Sequence, residues 1–292
     1  MSKNYNLISD VPFEVITGPI EYNLTNDYMF KATMQECEEA RIGLISALLS
    51  IEPTQITAEV INPIELGKSI AAKDFYLDVM VSVNKIKMMN LEMQVTKLSY
   101  WDKRSLSYCC RSYDQLCSGG KYEDILPFQQ VGFTKFDMFA DNNRFYDTFY
   151  MTSKDSAQIY TDNFLLSVVN LKRIDEATER DKQYRLDKWC RLITASTWEE
   201  LKEIAKEDPY MQATAKNLYM LSSDFEVREE ARRREEYYIY VHSLEDKIAE
   251  KDTALAEKDS TLAEKDAEMA SALAKKDAEI AELKRQLGLL SK

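Results

Sequence analysis

Beyond residue 242 the chain loses the residues from which a globular core is built. From Ser243 to Lys292 there is no Phe, Tyr, Trp, Pro or Cys. In their place runs a seven-residue repeat: AEKDTAL, AEKDSTL, AEKDAEM, an insert ASAL, then AKKDAEI and AELKRQL. Apolar residues recur at Ile248, Leu255, Leu262 and Met269, and resume four residues later at Leu273, Ile280 and Leu287. A hydrophobic period of seven drifts against the helical turn, so the stripe stays buried only if helices supercoil left-handedly, and a four-residue insert is a stutter that locally unwinds them. Residues 243–292 are therefore expected to form a heptad-repeat coiled coil that joins copies of the chain into a homo-oligomer. The seam is thin, because its second position falls on Lys251/Asp252, Lys258/Asp259 and Lys265/Asp266. A solvated single helix held by Glu–Lys pairs is the competing reading.

The globular part must lie in residues 1–242, which hold every aromatic residue of the chain. Hydrophobic residues are 45% of the whole and aromatics 11%, enough for a substantial core. No run approaches the roughly 18 apolar residues of a membrane span, and the polar opening MSKNYNLISD does not read as a signal peptide. The 38 basic and 50 acidic residues give a net charge of −12, which excludes a generally basic nucleic-acid coat protein. The tail's 9 basic and 12 acidic residues leave 29 and 38 for residues 1–242, so the body is itself acidic.

A single histidine, His242, stands at the end of the body. Ser-His-Asp and Cys-His catalysis and multi-histidine metal sites are thereby excluded from it. The five cysteines (37, 109, 110, 117, 190) form no CxxC and no zinc spacing, and their odd number reads as reduced and cytoplasmic. The seven glycines form neither GxGxxG nor a phosphate-binding loop, so no nucleotide cofactor is expected. Chemistry here must come from carboxylates, amides, lysines or hydroxyls.

The periodicity predicts a mixed α/β body. Helix is expected over residues 26–50, with an interruption near 35–38, and strands over 57–66, 75–83 and 88–96. A helix over 98–117 ends at Gly119-Gly120, and strands follow over 128–136, 145–152 and 165–171. After Asp175 the pattern is helical: 178–195, 197–206, 209–222, and from 225 into the tail.

The informative stretch is KDFYLDVMVSVNKIKMMNLEMQVTK, residues 73–97. Alternation places Tyr76, Asp78, Met80 and Ser82 on one face of the first strand, and Asn90, Glu92 and Gln94 on one face of the second. With a turn centred near Lys85, opposed residue numbers sum to about 170, a sum that Asp78 and Glu92 satisfy. Two like charges across a hairpin repel, and burial strengthens the repulsion unless a cation intervenes. A divalent ion with hard oxygen ligands, Mg²⁺ or Mn²⁺, resolves it. The competing reading is an amphipathic hairpin with an acidic outer face.

TNDYMFKATM, then YLDVMVSV and NLEMQV, a helix with Arg104 and Tyr108, and GGKYEDILPFQQVGF together resemble the PD-(D/E)XK nuclease family transposases, the recombination-promoting nucleases. The resemblance runs from about residue 24 to 221, in the family's motif order. It implies a restriction-endonuclease-like core, an αβββαβ mixed sheet, and metal-dependent hydrolysis of DNA phosphodiesters. The implied organisation is an N-terminal segment (1–23), a nuclease-like core (24–175), a helical extension (176–242) and the heptad tail (243–292). Carried over residue by residue, Asp78 is the metal-binding aspartate and Glu92 the acid of the E-x-K/Q motif. Gln94 stands at that motif's last position, and Asp27 matches the early acid on the first helix. Lys31 matches the basic residue after it. Gln94 hydrogen-bonds water but carries no charge, and Lys73 or Lys97 stands near enough in sequence to supply it.

Residues 97–121 carry Lys97, Lys103, Arg104, Arg111 and Lys121 against Asp102 and Asp114, a local charge of +3 beside the proposed site. On a helix Tyr100, Arg104, Tyr108 and Arg111 share a face. Lys97, Arg104, Tyr108 and Arg111, with Lys31, are the candidates for contact with DNA. The alternative is that this helix covers the sheet while its arginines pair with acids. Arg232-Arg233-Arg234 is flanked by Glu229, Glu230, Glu235 and Glu236, and reads as a salt-bridged helix rather than a basic patch. The function these features favour is a metal-dependent DNA endonuclease acting in recombination, transposon-like mobility or defence against foreign DNA. The alternative is an inactive nuclease-fold module that binds DNA or a protein and oligomerises through its tail.

Overall fold

The computed structural model of the chain describes residues 11–62, 79–95, 101–114, 121–139, 141–142 and 144–288. Two compact units divide it, 1–237 and 238–292. In the first, helix α1 (Asp27–Glu36) starts where the Asn26 side chain accepts a hydrogen bond from the Met29 N–H, satisfying a donor that has no partner within the helix. It ends at Cys37, whose extended backbone separates it from α2 (Glu38–Leu49), so the interruption expected near 35–38 is present.

Six strands follow: β1 (Ala58–Val60), β2 (Val79–Val83), β3 (Lys87–Gln94), β4 (Phe128–Thr134), β5 (Tyr146–Thr152) and β6 (Ile159–Asn170). Helix α3 (Trp101–Tyr113) lies between β3 and β4. The sheet order is β1-β2-β3-β4-β6-β5, with β3, β4 and β6 parallel to one another and the remaining neighbours antiparallel. The described elements α1/α2, β1, β2, β3, α3 and β4 follow the expected mixed α/β order.

The β2–β3 register runs from Val79↔Leu91 through Met80↔Asn90 to Val83↔Lys87, and each pair sums to the predicted 170. The turn is centred on Lys85. Asn84 and Lys85 are both left-handed, with φ 50° and 58°, and the Ile86 N–H closes the turn by donating to the Val83 carbonyl at 3.1 Å. Asparagine tolerates that backbone, and the Asn84 side chain is fixed by accepting from the Thr57 N–H at 2.7 Å and donating to the Gln55 carbonyl at 2.9 Å. Lysine adopts it at a cost.

Period two gives the sheet two unlike faces. Met89, Leu91 and Met93 join Val79, Val81, Val83, Val131 and Phe133 in the main core with α1 and α2. The rings of Phe30 and Phe133 meet there at 5.5 Å, and Phe133→Ala would cost about 3–5 kcal/mol through the cavity left. The other face carries Asn90, Glu92 and Gln94 of β3 beside Gln130 and Thr134 of β4. Helix α3 covers it, with Tyr113 edge-on to Phe164 of β6 at 5.4 Å.

The extension consists of α4 (Glu179–Gln183), α5 (Leu186–Thr194), α6 (Trp198–Ala205), α7 (Pro209–Ser223) and the beginning of α8 (Phe225–Gln286). One helix was expected over 178–195, but the chain breaks at Arg185, which is left-handed at φ 60°. Burial outweighs local propensity here: α4 buries no residue, whereas α5 buries Leu186, Trp189, Cys190, Leu192 and Ile193. Arg185 is held by an ion pair to Asp208 at 2.5 Å.

The second unit is helical as far as Gln286, and its residues 246–288 are all exposed, including Ile248, Leu255, Leu262, Met269, Leu273 and Ile280. Among the described residues no helix is long and apolar enough to cross a membrane.

Candidate active site

Glu92 lies inside β3 and is only 4% exposed. Removing a carboxylate from water costs several kcal/mol unless its charge is met by donors or cations, so its neighbours decide what it can do. From β4, the Gln130 Nε2 donates to Glu92 Oε2 at 3.0 Å. Gln130 in turn accepts from Asn90 Nδ2 at 2.9 Å, which fixes the direction of its amide. From α3, Arg104 Nη2 stands 3.5 Å from Glu92 Oε1, with the Arg104 side chain 27% exposed. Gln94 is buried two residues further along the same face.

Helix α3 reaches this face through Arg104, Ser105 and Cys109, of which Ser105 and Cys109 are fully buried. Burial pushes the Cys109 thiol up to about 12, and the Glu92 carboxylate adds to the shift. The Cys109 thiol is therefore protonated at neutral pH and is a poor metal ligand. The Glu92 carboxylate is a hard oxygen donor, which suits a hard divalent cation better than a soft metal. Among the described residues no three His, Cys, Asp or Glu side chains converge. Glu92 thus needs a further ligand to hold a cation.

Of the other residues singled out by the sequence, Asp78, Lys73 and Lys97 lie outside the described residues, as does the side chain of Tyr108, whose backbone belongs to α3. Arg111 is exposed in the last turn of α3. Asp27 and Lys31 are buried on α1. Asp27 is gripped by Arg234 of α8, with Nε at 2.9 Å and Nη2 at 2.7 Å from Oδ2. The Asn26 Nδ2 donates to the Ala231 carbonyl beside it at 3.0 Å.

The Arg232–Arg234 run is only in part the salt-bridged helix expected. Arg232 pairs with Glu229 and Glu236, and Arg233 with Glu230, but Arg234 turns inward to Asp27. His242 is exposed, 3.1 Å from Asp246, well apart in sequence from the carboxylate site. Sequence reasoning did not single out Gln130 or Arg234. A signal for Gln130 was available: adjacent glutamines in a strand as apolar as FQQVGF must point to opposite faces, so each needs a buried polar partner. Gln129, on the other face, donates to Ser167 Oγ at 2.8 Å.

The family model of the PD-(D/E)XK nuclease family transposases matches residues 24–247. The chain belongs to this family. Neither the curated proteins nor the solved structures give a match. Membership in the PD-(D/E)XK nuclease family transposases indicates a nuclease or transposase-like function, and the match takes in the strand that carries Glu92, helix α3 and the Asp27–Arg234 pair.

Proposed function

We propose that this chain is a DNA endonuclease that hydrolyses phosphodiester bonds with Mg²⁺ or Mn²⁺ held by Asp78 and Glu92. The observation that carries the reading is the buried Glu92 carboxylate, oriented on one oxygen by Gln130 and faced on the other by Arg104, on a strand in the register predicted for the acidic hairpin. Asp78 directly precedes β2 and is the further ligand that Glu92 needs. When bound, such an ion supplies Lewis-acid stabilisation to a phosphodiester and acidifies water.

The chain's own residues provide the rest. Gln94 orients the attacking water through its amide and takes no proton from it. Arg104, partly exposed beside the carboxylate, meets negative charge on the scissile phosphate. Arg111, Tyr108 and Lys97 hold the flanking backbone, and Lys97 also offers the charge that Gln94 lacks. Residues 243–292 join copies of the chain, so that two sites meet one duplex in recombination, transposon-like mobility or defence.

A second reading has one observation in its favour: Arg104 already sets a cation 3.5 Å from Glu92, as an inactive nuclease-fold module would. Supercoiled plasmid incubated with Mg²⁺ or Mn²⁺ separates the two. The endonuclease reading expects nicking that EDTA and Asp78→Ala each abolish. Intact plasmid with folded wild-type protein and either metal would leave only the binding module.

A further inference from the structure

Glu92, Gln130 and Asn90 form a buried chain of contacts whose direction is set at every link. The Asn90 amide N–H points to the Gln130 carbonyl at 2.9 Å, which leaves the Gln130 amide N–H to point at Glu92 Oε2 at 3.0 Å. Asn90 and Gln130 are paired by the parallel β3–β4 register, so the backbone holds both amides level. Glutamine reversed in this place would set a carbonyl oxygen against the carboxylate, and would lose Asn90 as a donor. A hydrogen bond to a carboxylate inside protein is stronger than one between neutral groups, and it fixes a rotamer that solvent would otherwise let turn.

We propose that Gln130 is a positioning residue for Glu92, seconded by Asn90, and that this amide pair sets the affinity of the site for a divalent cation. The inference rests on the endonuclease reading, because it assumes that Glu92 is a metal ligand. Gln130 touches neither cation nor substrate. It acts by keeping Oε2 turned into the sheet, so that the carboxylate presents one geometry and no rotamer has to be selected when a cation binds. Partners of this kind behind a ligand typically contribute 10–100-fold to metal affinity.

Direct binding of Mn²⁺ to the full chain, followed by loss of the free-ion signal in electron paramagnetic resonance, tests this without calling on activity. Gln130→Met removes the amide at similar volume and should raise the half-saturating Mn²⁺ concentration about 10-fold. Asn90→Ala should raise it about 3-fold by the same route, a smaller share of that effect. The double variant should match Gln130→Met alone, because Asn90 reaches the carboxylate through Gln130; two merely structural defects would multiply instead. A wild-type chain that binds no Mn²⁺ at millimolar concentration sinks the endonuclease reading and this inference with it. Wild-type binding with an unchanged midpoint in Gln130→Met sinks this inference alone. Should Gln130→Met fail to fold, Asn90→Ala carries the test, and an unchanged midpoint there overturns it equally.

Discussion

Asp27 and Glu92 are both carboxylates at most 5% exposed, and each stands opposite an arginine, yet the two arrangements are unlike. At Asp27 the Arg234 guanidinium closes to 2.7 and 2.9 Å on one oxygen, with both partners buried and the preceding turn of α8 tied to Asn26 through Ala231. At Glu92 the arginine stands off at 3.5 Å, is partly exposed, and shares the carboxylate with a neutral amide. The first is a clamp. A buried carboxylate closed by a guanidinium in a fork has its charge met within the fold, which suits a joint between helices. The second is fixed in direction by an amide on the neighbouring strand, with its arginine at the edge of solvent.

The contrast can be broken at either end. Glu92→Gln keeps the shape and removes the charge. It should reduce plasmid cleavage about 10³-fold, near 4 kcal/mol of transition-state stabilisation, while the melting temperature stays close to wild type. A variant that cleaves normally would show that the carboxylate is not a ligand. Arg234→Met should do the reverse, lowering the stability of the first unit by about 3–5 kcal/mol in urea unfolding because it takes the guanidinium away from a buried carboxylate. Asp27→Leu with Arg234→Met should recover most of that loss, and no recovery would mean that the clamp does more than satisfy charge.

Arg104→Met should lower cleavage about 10-fold, or about 1.4 kcal/mol, and flatten its dependence on salt. An effect as large as that of Glu92→Gln would make Arg104 part of the reacting centre. The smallest change expected is from removing residues 243–292. From residue 246 to 288 every residue is exposed, so the melting temperature of the first unit should stay within about 2 °C, consistent with small effects away from buried groups. Sedimentation should fall from an oligomer to a monomer. Equal monomeric mass before and after would remove the coiled-coil expectation.

What could be read in the sequence follows from how far apart the interacting residues lie. The hairpin was legible because strand alternation, turn position and register all lie within a short stretch, and a centre near Lys85 determines the pairs. The break at Cys37 was legible too, as an interruption in a helical pattern. The join of Arg234 to Asp27 spans 207 residues, and three consecutive arginines among glutamates give no local reason for one of them to turn inward. The break at Arg185 has no Gly or Pro to mark it, since it answers to burial of Trp189 and its neighbours and to Asp208. At the site itself, the residues on one face of β3 could be assigned by counting. The partner they find on β4 depends on a parallel register that nothing near Glu92 encodes.

The two left-handed residues at Asn84 and Lys85 close a short connection that fixes which residues of β2 and β3 lie opposite one another. A slip of β3 by one residue against β2 would send Glu92 and Gln94 toward α1 and α2 and bring Leu91 and Met93 beneath α3, whereas a slip by two would restore every face. Residues added to the connection leave the site intact as long as the loop alone takes them up. The turn is thus free to vary in length and composition, and the pairing it closes is not.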